Sequence, residues 1–125
     1  MAATLILPTY SPLHGSVVVI SDSDENDMDL NANTVIYAVE VDNRNNAAAS
    51  YTKIYDASDP TVGGETPDDP DVVLMTPANS RVLHILNGTT GYDPATNTTV
   101  VTVTTPGSGG STGPTSPVIV RLFIA

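Results

Sequence analysis

Thr34-Val35-Ile36-Tyr37-Ala38-Val39-Glu40-Val41-Asp42 alternates along its length. In an extended chain Val35, Tyr37, Val39 and Val41 share one side, and Thr34, Ile36, Ala38, Glu40 and Asp42 share the other. A period of two, carried by β-branched residues, predicts a strand with one face in a core and a second face turning polar along its length. Working outward, seven further short segments of the same character lie near residues 4–7, 16–20, 50–56, 71–75, 80–86, 98–104 and 117–124. Pro and Gly fall almost wholly between them, and no stretch of helical length spaces its apolar residues by three and four. The pattern predicts an all-β protein: an antiparallel sandwich, jelly-roll-like, of about eight strands.

The chain has 125 residues, the size of one ordinary domain, so residues 1–125 are read as a single sandwich. Its apolar residues are mostly Val, Ile, Leu and Ala, with one Phe, five Tyr and no Trp. Fourteen acidic residues against four basic ones give a net charge of −10, which repels phosphate and argues against nucleic acid or an anionic membrane as partner. The absence of cysteine excludes disulfides, thiolate metal sites and cysteine nucleophiles. Residues 1–7 lack the positive charge of a secretory signal and no apolar run reaches membrane-spanning length, so synthesis in the cytoplasm is expected.

The last segment differs from the others. Val118, Val120, Leu122 and Ile124 line one side, while Ile119 and Phe123 flank Arg121 on the other. Such a strand is expected to be buried on both faces, either by a neighbouring subunit or partner or by a long loop folded over it. Tyr51, Lys53 and Tyr55 alternate on one strand face and read either as an outer contact surface or as a cross-strand packing ladder. Tyr51, Lys53, Tyr55, Arg121 and Phe123 are therefore the candidate partner-contact residues. Residues 106–117, rich in Gly and Ser, read as a flexible loop before the final strand.

No constellation meets the demands of catalysis or of a metal or cofactor site. Asp22, Asp24 and Asn26 are spaced like the first ligands of a calcium loop. Asp27 stands where that loop needs Gly, however, and Asn33 where it needs a bidentate Glu, so a solvated charge run is expected. Gly109-Gly110-Ser111-Thr112-Gly113 matches the nucleophile-elbow pattern, but Pro114 and Pro117 occupy the place of the helix that the elbow requires. His14 and His84 are too few for a histidine metal cage, and His84 reads as a partly buried strand residue. Asn87-Gly88-Thr89 and Asn97-Thr98-Thr99 match the glycosylation pattern but lack a secretion signal to give it use. The chain is expected to be no enzyme and to hold no cofactor.

Residues 42–80, about a third of the chain, carry Asp42-Asn43-Arg44-Asn45-Asn46, Tyr51-Thr52-Lys53-Ile54-Tyr55, Pro60-Thr61-Val62-Gly63, Val72-Val73-Leu74-Met75 and Pro77-Ala78-Asn79. In that order these motifs resemble a small β-sandwich family from the structural modules of tailed bacteriophages. Asn79 departs from the family's usual Gly, a change that a left-handed turn position tolerates. The resemblance implies a capsid decoration or cement protein on the virion exterior, commonly a homotrimer bound to the major capsid protein. It supplies no catalytic residues. The alternative is a tail-fibre or adhesin-type domain that binds a host glycan or receptor through its Asn-, Thr- and Gly-rich loops.

Overall fold

A computed structural model describes residues 15–24, 26–27, 34–86 and 91–124. They form eight strands: β1 (Gly15–Ser21), β2 (Asn26–Asp27), β3 (Ile36–Asp42), β4 (Ser50–Tyr55), β5 (Val72–Thr76), β6 (Arg81–Ile85), β7 (Thr99–Val103) and β8 (Val118–Ile124). Two antiparallel sheets face one another, sheet 1 in the order β1-β8-β3-β6 and sheet 2 in the order β2-β7-β4-β5. The pairs nest: β1 with β8, β2 with β7, β3 with β6, and β4 with β5. The all-β sandwich anticipated from the alternation is the observed architecture. Seven of the expected segments become strands with ends shifted by one or two residues; the segment at 4–7 lies outside the described residues. The two-residue β2 arises inside the acidic stretch, where no alternation announces it.

The core lies between the sheets. Val39 and Val41 on β3, and Val118, Val120 and Leu122 on β8, meet Ile54, Leu74 and Val100 from sheet 2. Ile36 joins them, against the face assigned to it by simple alternation. The register slips between Ile36 and Ala38, and the extra residue of this bulge turns Ile36 inward, where it is wholly buried. Several hydroxyls enter the space between the sheets as hydrogen-bonded pairs. Ser21 Oγ lies 2.8 Å from Thr102 Oγ1, which lies 3.1 Å from Thr52 Oγ1, so β1, β7 and β4 are joined across the sandwich. At the opposite edge Thr76 Oγ1 is 3.2 Å from His84 Nε2. Burial lowers the pKa of His84, which keeps the ring neutral at pH 7, in keeping with a partly buried strand histidine.

The Gly/Ser stretch is not a free loop. Thr104 N–H donates to Thr112 O at 2.9 Å, Gly110 N–H to Gly107 O at 3.2 Å, and Ser108 Oγ to Asp69 Oδ1 at 2.6 Å. Gly63, at φ 71°, belongs to the facing loop, and a Cβ there would come 2.7 Å from Ser111 Cβ. Interlocked in this way, the loops cover the part of the outer side of sheet 2 over β4 and β7, where Tyr55, Val101, Val103 and Val62 form a second small apolar cluster.

This cover corrects the reading of Lys53 and Tyr55 as contact residues. Lys53 is wholly buried and its Nζ donates to Gly107 O at 2.6 Å, while Tyr55 is 2% exposed. Burial pushes the Lys53 pKa below its ordinary 10.5. Between that lowered value and 10.5 the unfolded chain holds more protons than the folded one, so this group's contribution to stability rises with pH. Lys53→Met keeps the stem and removes the charge. It is expected to raise stability at pH 7 by about 1 kcal/mol, a few degrees in Tm, with a smaller gain at pH 9.5. Thermal melts at the two pH values check this, and a lowered Tm at pH 7 would mean that the ammonium bond is what holds the loop down.

Candidate functional site

The side of sheet 1 that faces away from the core is a grid of three rows, fixed by the strand registers. The middle row runs Val18, Arg121, Glu40, Leu83 across β1, β8, β3 and β6. On one side of it lie Ser16, Phe123, Ala38 and Ile85, and on the other Ile20, Ile119, Asp42 and Arg81. Val18, Ile20, Leu83, Ile85 and Ile119 are between 44% and 68% exposed. Such a concentration of aliphatic surface on one sheet face makes it the candidate contact surface of the molecule. Covering it is favourable by about 25 cal/mol per Å² of apolar area.

The electrostatics of this face differ from those of the whole chain. It holds two of the four basic residues and two of the fourteen acidic ones, so it is neutral on a molecule of charge −10. At its margin Arg44 grips Asp42 with two bonds, Nε to Oδ1 at 2.9 Å and Nη2 to Oδ2 at 2.8 Å, and this holds the Asp42 carboxyl below its ordinary pKa. The middle row behaves differently. Arg121 and Glu40 are cross-strand neighbours, yet Arg121 leans toward Ser16 Oγ at 3.4 Å, and Glu40 makes no side-chain bond or ion pair among the described residues. Among the described residues Arg121 and Glu40 make no ion pair with each other, and Glu40 acts on Arg44 only through its charge at longer range.

Of the five anticipated contact residues, Arg121 is exposed and Phe123 is half-buried on this face. Tyr51 is half-buried on the outer side of sheet 2, beside Val73 and Met75, which are 41% and 49% exposed. The final strand is not buried on both sides within the chain: Val118, Val120 and Leu122 are in the core, while Ile119 is 44% exposed. The long loop that was one candidate to cover it lies over β4 and β7 instead. Sequence reading missed Val18, Ile20, Leu83 and Ile85. The available signal was that the runs Val17-Val18-Val19-Ile20 and Val82-Leu83-His84-Ile85 are apolar at both parities, as in the last strand.

Elsewhere the chemistry is structural. Asp56 accepts N–H bonds from Ala95, Thr96 and Asn97 at 2.7–3.1 Å, which outweigh its partial desolvation and lower its pKa. Ser111 sits in an exposed loop stretch with no helix after it. Of the acidic run, Glu25 and residues 28–33 lie outside the described residues; Asp22 Oδ1 accepts the Asp24 N–H at 2.9 Å. Among the described residues no group of three or more Asp, Glu or His is placed to hold a metal, and no helix is long and apolar enough to cross a membrane. No family model, no curated protein and no solved structure matches this chain.

Proposed function

We propose that this protein is a non-enzymatic structural component of a tailed-phage virion, which decorates the outside of the head and cements it through contacts with the major capsid protein. The observation that carries the reading is the placement of apolar surface on opposite sides of one sandwich. The sheet 1 grid is on one side, and Tyr51, Val73 and Met75 are on the other. A cement must grip two things at once, and many modest contacts repeated over a shell add to firm attachment. The reading also draws support from the nested strand pairing, which we read as jelly-roll-like, an architecture used by capsid domains. The motif order of residues 42–80 adds to it: Asn79, in place of the usual Gly, takes φ 55° in the β5–β6 turn.

The test is to mix the purified chain with heads of the phage whose genome encodes it, sediment the heads, and then heat them. Co-sedimentation, together with heads that withstand heat or low salt only when the chain is present, is expected. A chain that stays in the supernatant and leaves head stability unchanged overturns the reading. Adsorption of the isolated chain to host cells would favour the adhesin alternative.

A further inference from the structure

We infer that the sheet 1 face binds a second copy of this chain, face to face, about a two-fold axis that runs along the strands between β8 and β3. The inference concerns the same sheet 1 face that the phage reading uses: it makes a second copy one of the two things gripped and leaves the sheet 2 side for the shell. It replaces the ring of three implied by the family resemblance with a pair.

The grid is complementary to itself. A two-fold along the β8–β3 seam brings each column over its mirror column, β8 over the partner's β3 and β1 over the partner's β6. In the middle row Arg121 then faces the other copy's Glu40 and the reverse, while Val18 faces Leu83 at both ends. In the next row the large Phe123 lies over the small Ala38, twice. In the third row the stem of Arg81 covers Ile20, and Asp42 keeps its own Arg44. The charged pairs lie beside the axis, where the usual tilt of about 30° between packed sheets displaces them least.

The rival axes fail on charge or on symmetry. A two-fold along the middle row would set Arg121 against Arg121 and Glu40 against Glu40. A ring of three needs two different patches that fit each other, whereas this one patch fits itself, the mark of an isologous contact. Neutrality of the face also matters, since two chains of charge −10 approach most readily where neither carries net charge. Four strands and three rows span roughly 20 Å by 20 Å. Two such faces, with side-chain relief, reach the lower end of specific interfaces, about 1,200 Å² in total.

Two experiments decide it. In the first, the full chain and its variants Arg121→Glu and Glu40→Arg are weighed by light scattering. The wild type is expected at twice the 13.0 kDa of one chain. Each single variant sets like charges across the axis and should associate at least tenfold more weakly. An equimolar mixture of the two variants is expected to recover the double mass, because each then meets its opposite. In-chain effects of the substitutions would not be cured by mixing. The second experiment does not depend on charge: the chain has no cysteine, so Val18→Cys and Leu83→Cys are introduced together. Within one chain these positions lie three strands apart, roughly 14 Å. Across the axis they face each other over the roughly 10 Å between packed sheets, too far for a disulfide but within reach of a short bis-maleimide. Treatment with that crosslinker should give a covalent dimer. A wild type of single or triple mass overturns the inference, as does failure of the cysteine variant to crosslink. None of these results depends on whether the chain sediments with heads.

Discussion

Deletion of residues 118–125 is expected to leave a chain that does not fold, with no strand signal in circular dichroism and no cooperative transition in urea. β8 is not an edge. It pairs with β1 through seven registered residues and with β3 through six, so its loss strands the ladders of both neighbours. It also carries Val118, Val120 and Leu122, each wholly buried. At about 1.5–3 kcal/mol for each buried aliphatic side chain, these three alone rival the about 5–15 kcal/mol by which a domain of this kind is stable. The remaining polar groups of β1 and β3 would then be either wet or unpaired, which adds to the loss. A truncated chain that stays soluble, keeps its strand spectrum and unfolds cooperatively would show that sheet 1 is not organised around β8.

The second large effect is expected from Asn43→Ala. Asn43 is wholly buried where three loops meet. Its Nδ2 lies 3.0 Å from Ala48 O, 3.0 Å from Pro77 O and 3.3 Å from Thr76 O. Its Oδ1 accepts from Asn46 Nδ2 at 2.8 Å, and Asn46 in turn bonds both the N–H and the carbonyl of Ser116 at 2.8 Å. One side chain thus fastens the β3–β4 loop to the β5–β6 turn and, through Asn46, to the run-in of β8. Alanine leaves those carbonyls and the Asn46 amide without this partner inside the protein. At about 1–3 kcal/mol for each buried group left unsatisfied, the expected loss is about 3 kcal/mol, or roughly 10–15 °C in Tm for a chain of this size. Asn43→Asp should fare no better, because it keeps the acceptor, loses the donors and buries a charge. Calorimetry of both variants checks this, and a loss of less than about 1 kcal/mol for Asn43→Ala would mean that the loops are fastened elsewhere.

The sequence carries the strands plainly because alternation is local: Val39, Glu40 and Val41 take their faces from their neighbours alone. It carries less of what depends on distant residues. Nothing near Ile36 announces the bulge that turns it inward. Nothing in Tyr51-Thr52-Lys53-Ile54-Tyr55 tells that residues half a chain away fold back over two of its three outward side chains and leave Tyr51 half open. The Gly/Ser stretch has the composition of a linker, and what fixes it are contacts such as Gly63 against Ser111, visible only once both loops are in place. The sheet 1 face was half legible. Arg121 and Phe123 stood out because their strand is apolar on both sides, but the neighbours that complete the rows come from β1, β3 and β6, and only register brings them together.

The nesting of the strands also sets the order in which the protein can form. β4 and β5 are neighbours in sequence and can close while the chain is still being synthesised. β1 must wait for β8, far along the chain from it; Gly15 pairs with Ile124. Until β8 has left the ribosome, β1 offers Val17, Val18, Val19 and Ile20 without this partner for their backbone. A topology of such high contact order folds slowly, on the scale of milliseconds to seconds, and its vulnerable period falls before completion. A −10 charge, carried mostly away from those apolar runs, keeps nascent copies apart during that wait.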